Sequence, residues 1–307
     1  SAVDNDKDQN PSFTPDVVGK YTLTDKGSGA ALDIYAGTWA GAISGQDANG
    51  RPLSAACTVC HNGKTAPDNF TACRASGHAE IFTQNINNPA GHWTESCAAC
   101  HTVGYAPGVN NGGFDEAMAS ESWKVPSSGQ VGYYAGMLKD FPKTAGLTNI
   151  QCENCHGPNN SPLHANKTLD AARITLSAEA CGACHGEPAR HGRFQQWQES
   201  GHSGIKSTTT PERATSNSCA RCHSAQGFLL WLKQGDLTKP IQGNNGNATA
   251  AEMMALGFTA DKLEPVTCVV CHDPHNVGTT SGEPTNARVR IVDNTKLLPS
   301  GFQAKEV

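Results

Sequence analysis

The chain has 307 residues, a net charge of −5, thirteen cysteines and twelve histidines. Leu, Ile, Val and Phe occupy 49 positions, 16% of the chain, so aliphatic packing is thin for this length. No run approaches the roughly 20 apolar residues of a membrane span, and an acidic balance (pI about 6.2) leaves no basic footprint for nucleic acid.

Residues 1–49 are a polar N-terminal arm beginning Ser1-Ala2-Val3-Asp4, without a charged and apolar leader, and read as the start of a mature chain. Cys57-x-x-Cys60-His61 follows, and Phe70, Cys73 and Gly77 then recur at helical spacing, which predicts a helix over 70–78 ending in Ser76-Gly77-His78. Next come His92, Cys97-x-x-Cys100-His101, Cys152-x-x-Cys155-His156 and His164. The pattern restarts with Cys181-x-x-Cys184-His185, His191, a predicted helix over 190–202 ending in Ser200-Gly201-His202, and Cys219-x-x-Cys222-His223. Helices are expected over 225–234 and 249–257, before Cys268-x-x-Cys271-His272 and His275. Near the end, Ala287–Val292 alternates charged and apolar residues as an edge strand does, and Val17–Leu23 of the arm is its expected partner.

The restart is a tandem repeat. A shift of 124 residues superposes Cys57, Cys60 and His61 on Cys181, Cys184 and His185, and Phe70…Ser76-Gly77-His78 on Phe194…Ser200-Gly201-His202. The shift falls to 122 at Cys97/Cys219 and 116 at Cys152/Cys268. The chain therefore divides into an arm (1–49), a first module (50–172), a second module (173–280) and a tail (281–307). Cys73, the odd cysteine, takes the place of Trp197 and reads as a small buried hydrophobe, with a reactive or intersubunit thiol as the alternative.

Six copies of C-x-x-C-H carry the chemistry. Two thiols on one helical turn each add across one vinyl group of a single porphyrin, and the adjoining histidine lies beneath the iron. Zinc half-sites, redox dithiols and disulfides also use paired cysteines, but none of them needs a histidine after every pair. The motifs thus imply six haem c groups, bound through the twelve cysteines from Cys57 to Cys271, with His61, His101, His156, His185, His223 and His272 as proximal ligands. Six other histidines remain, His78, His92, His164, His191, His202 and His275, which is the number that bis-histidine ligation requires. Met118, Met137, Met253 and Met254 are the alternative sixth ligands, although none recurs between modules. Buried porphyrin faces would stand in for the scarce aliphatic core. The expected fold is mainly irregular, with short α-helices wrapped around six covalent haems and minor β-structure at the termini.

Ser76-Gly77-His78, Cys97-Ala-Ala-Cys100-His101-Thr-Val-Gly104-Tyr105 and Gln151-Cys152-Glu-Asn-Cys155-His156-Gly-Pro158 with His164 resemble multihaem c-type cytochromes, the group that includes the tetrahaem electron carrier of ammonia oxidisers. The resemblance covers residues 70–164 most clearly. It implies axial histidines and electron transfer outside the cytoplasm, in the periplasm or beyond the cell. Some relatives keep a five-coordinate haem, which the histidine count here disfavours. Six motifs depart from the tetrahaem pattern, so haem order does not carry over. The chain is also similar in kind to surface cytochromes that polymerise into extracellular filaments. The leading expectation is a non-enzymatic electron conduit that self-associates head to tail and meets other redox proteins or extracellular acceptors. A discrete periplasmic shuttle and a multihaem oxidoreductase of a small nitrogen or sulfur compound are the alternatives.

Overall fold

The computed structural model describes residues 13–41, 57–91, 93–162, 164, 173–186, 192–204, 215–259 and 262–275. The chain divides after Ile174 into two compact units. About 39% of the described residues are helical, and the longest helix among them, Ala225–Lys233, has only nine residues. Helices this short have little stability of their own and depend on packing.

The arm is part of the first unit. Strand β1 (Gly19–Thr24) pairs antiparallel with β2 (Ala31–Ala36), in the register Gly19↔Ala36 to Thr24↔Ala31. Asp25 starts the turn by accepting the Gly27 N–H at 2.8 Å, and Gly29 takes a left-handed φ of +74°. Among the described residues the arm strand finds its partner within the arm, where a short turn costs little loop entropy. Residues 287–292 lie outside the described residues. A second small hairpin, β3 (Gln242–Gly243) with β4 (Gly246–Asn247), sits inside the second unit, so β-structure is not confined to the termini.

Residues 37–41 then dock on the body of the first unit. Thr38 and Asn160 exchange backbone hydrogen bonds at 2.9 and 3.2 Å, and the Trp39 N–H donates to the Asn111 carbonyl at 3.1 Å. The Trp39 ring lies over Gly104, whose φ is +72°, and a Cβ there would collide with it.

Each unit has its own apolar core. In the first, Phe82, Ile86, Trp93, Val103, Phe114, Trp123, Met137 and Leu147 are buried together. Phe82 meets Trp93 edge-on at 4.7 Å, and Phe114 meets Trp123 at 5.8 Å. The second unit buries Trp231, Leu237, Ile241, Met253, Phe258 and Leu263. Among the described residues the interior is thus filled by aromatic and sulfur-bearing side chains as well as aliphatic ones. A few large rings bury as much area as many small residues.

The repeat extends to hydrogen bonds. Ala98 and Ala220, inside the second motif of each unit, are fully buried. Their carbonyls accept the hydroxyls of Thr102 at 2.6 Å and Ser224 at 3.1 Å. Past each motif the chain is tied to the approach of the third motif, by Val103 N–H to Leu147 O at 2.8 Å and Ala225 N–H to Glu264 O at 3.0 Å.

Candidate haem-attachment sites

Every motif lies on a single helical turn. The motifs form the helices Ala98–His101, Cys152–His156, Ala220–His223 and Cys268–Cys271, the end of Glu179–His185, and the 3₁₀ turn Cys57–Val59. Where the helix stops short, the histidine N–H still bonds the carbonyl of the first cysteine: His61 to Cys57 and His272 to Cys268, both at 2.9 Å. The i, i+3 thiols and the i+4 imidazole therefore share one face. No disulfide joins any of the thirteen cysteines, all of which lie among the described residues.

Cysteine is among the most buried residue types, yet none of the twelve motif cysteines is buried: Cys60, Cys155 and Cys222 are exposed and the rest half-buried. Among the described residues no group of three or more His, Cys, Asp or Glu side chains is arranged to hold a bare metal ion.

First and third motifs come together in both units. Cys57, Cys73 and Cys152 all pack on Phe70 in the first unit, and the Cys152 thiol is pushed up by a hydrogen bond with Cys73 and by burial. Burial likewise raises the half-buried Cys57 thiol. In the second unit Cys181 hydrogen-bonds Cys268, the repeat counterpart of Cys152, and brings that thiol down to about 7. Trp197 occupies the place of Cys73 and donates its indole N–H to Val266 O at 2.8 Å, two residues before Cys268. Cys73 is therefore half-buried, packed on Phe70 beside the motif cysteine Cys152, a small packing residue with less burial than expected.

Three imidazoles have a defined tautomer. Nδ1 of His61 faces Pro67 O at 3.3 Å, Nδ1 of His156 faces Arg173 O at 2.7 Å, and Nδ1 of His164 faces Asn159 O at 2.9 Å. A carbonyl only accepts, so each Nδ1 carries a proton, and in the neutral ring Nε2 keeps its lone pair. His78 is exposed, and its carbonyl accepts the Ile150 N–H at 2.9 Å, which ties it to the approach of the third motif. His202 and His275 are exposed, while His92 and His191 lie outside the described residues. Of the methionines, Met137 and Met253 are buried in the two cores and Met118 packs against the first, whereas Met254 is 61% exposed. Packing thus occupies three of the four alternative ligands.

Four residues that the sequence did not single out build the third site. Asn149, at φ +64°, accepts the N–H groups of Phe82 at 2.8 Å and Thr83 at 3.2 Å, capping the helix Ile81–Asn87 from a distance. Glu153, inside the third motif, is 1% exposed. Its carboxylate accepts the N–H groups of Ala40, Gly41 and Asn159, the last two at 2.7 Å. Arg173 and Asn159 complete the shell around His156 and His164. The legible signal was a charged residue inside Cys-Glu-Asn-Cys-His, where the second repeat has Val269. No family model matches the chain, and no curated protein or solved structure matches it.

Proposed function

We propose that the chain is a six-haem c-type cytochrome that carries electrons outside the cytoplasm, with each haem held by its C-x-x-C-H motif. The observation that carries this reading is the same juxtaposition in both units: the first cysteines of motifs one and three meet, Cys57 with Cys152 on Phe70 and Cys181 with Cys268. Groups attached there would lie close enough for electrons to pass between them. When bound, each haem supplies an iron that cycles between ferric and ferrous states. The chain's part is to fix both faces of that iron with imidazoles: six from the motifs, and six from His78, His92, His164, His191, His202 and His275. Such a coordination sphere has no open position for a substrate, so the protein conducts and does not catalyse. The pyridine haemochrome assay and intact mass should give six haems per chain, with a wholly low-spin oxidised spectrum that cyanide and nitrite leave unchanged. Fewer haems would overturn the assignment, and a high-spin component would favour the oxidoreductase.

For assembly, the filament reading has the chain join copies of itself head to tail, with the β1–β2 hairpin, which leaves Leu32 61% exposed, as a docking element. A discrete shuttle is the second reading. Its support is the docking of residues 37–41 on the chain's own first unit. Light scattering and electron microscopy decide between them: particles that grow with concentration support the filament, and monodisperse monomer supports the shuttle. Among the described residues no helix is long and apolar enough to cross a membrane.

A further inference from the structure

We propose that Asn159 and Arg173 are positioning residues that clasp two imidazoles at the third motif, its own His156 and the His164 that follows it. This rests on the haem reading above and adds the groups that set ligand orientation at one site. Arg173 holds both the ring and the backbone carbonyl of His156. The Arg173 carbonyl accepts the imidazole Nδ1–H at 2.7 Å, while its Nε donates to the His156 carbonyl at 2.8 Å. The same guanidinium reaches Gly157 O at 2.9 Å and Asn159 Oδ1 at 3.0 Å through Nη2. Gly157 has φ +75°, so the chain reverses directly after the motif and brings Asn159 back to it.

Asn159 uses three different groups for three partners. Its N–H donates to Glu153 inside the motif at 2.7 Å, its side-chain oxygen receives Arg173, and its carbonyl receives Nδ1–H of His164 at 2.9 Å. Both imidazoles therefore hang from backbone carbonyls that one side-chain network holds rigid, and in both Nε2 is left to face a metal. A ring whose Nδ1–H bond is fixed cannot rotate freely about its bond to the chain, and this is how second-shell partners set ligand orientation and basicity. The guanidinium also adds a positive charge beside His156, with the Glu153 carboxylate on the other side of Asn159.

The test uses the full-length, haem-loaded protein and the substitutions Arg173→Ala, Arg173→Lys and Asn159→Ala. Haem content is read by pyridine haemochrome, ligand orientation by low-temperature electron paramagnetic resonance, and midpoints by potentiometric titration. The clasp predicts altered g-values in the low-spin signal of the haem that His156 serves, in both Arg173→Ala and Asn159→Ala. That haem's midpoint should fall in Arg173→Ala, because losing a nearby positive charge favours the ferric form. Arg173→Lys keeps the charge but not the fork, so it should restore the midpoint and leave the g-values altered. Signals and midpoints that superpose on the unsubstituted protein would overturn the clasp. So would changes spread over all six haems, or full recovery of the g-values in Arg173→Lys. An unsubstituted protein without haem would overturn the underlying reading, and the clasp with it.

Discussion

At the scale of single residues, equivalent positions of the repeat have different surroundings. Cys152 shares a hydrogen bond with Cys73 and is partly desolvated, which raises its thiol, while Cys268 receives a hydrogen bond from Cys181 and falls to about 7. In the haem-free chain, alkylation of Cys268 should therefore rise through about pH 7, while Cys152 stays unreactive well above it. Peptide mass spectrometry after brief iodoacetamide pulses checks this, and Cys181→Ala should move the Cys268 profile upward. The linkage follows the depressed case: the Cys268 contribution is complete above the ordinary thiol range and is lost as pH falls through about 7. Glu153 shows the same divergence. Its carboxylate holds the arm at Ala40 and Gly41, while its counterpart Val269 has no such bonding group. Glu153→Val should cost about 2–3 kcal/mol, because it leaves amides without partners. Denaturant unfolding gives the loss, and hydrogen exchange should locate it at residues 38–41.

Among the elements, short helices form where a cap and a buried face coincide. Ser224 caps Ala225–Lys233 by accepting the Gly227 N–H, and Trp231 buries the inward face. That helix spans nearly the segment expected from its apolar run, Phe228-Leu-Leu-Trp-Leu232. The helix expected over 70–78 is instead broken. Phe70–Arg74 stops, and Ser76 turns its hydroxyl back to Cys73 O and caps a new turn, Gly77–Ala79. A serine that bonds the backbone locally competes with helix continuation, which periodicity does not reveal. Asn149 is the corresponding long-range device. Asn149→Ala removes the distant cap on Ile81–Asn87 and puts a Cβ-bearing residue without local bonding at φ +64°. A loss of about 2–3 kcal/mol is expected from these two effects together, read as a shift in the denaturant midpoint at unchanged slope.

On the scale of the whole molecule, two units with separate cores carry the two halves of the repeat. Trp231 is the largest buried side chain of the second core, and its indole N–H donates to Lys239 O at 3.0 Å. Trp231→Ala should cost about 3–5 kcal/mol. Hydrogen exchange should show the loss in residues 220–263 while amides around Phe82 and Phe114 stay protected. Equal loss of protection in both units would mean that they unfold as one.

The six C-x-x-C-H turns, the tandem repeat and the twelve histidines are legible in the sequence alone, because helical geometry acts over three or four residues. What only the tertiary structure decided are contacts between residues far apart in the chain. Glu153 meets Gly41 across 112 positions, Asn149 reaches Phe82 across 67, and Arg173 reaches His156 across 17. The partners in these contacts are backbone N–H and C=O groups, which every residue carries. Which of them a buried side chain finds depends on how the chain folds back, and no local pattern encodes it.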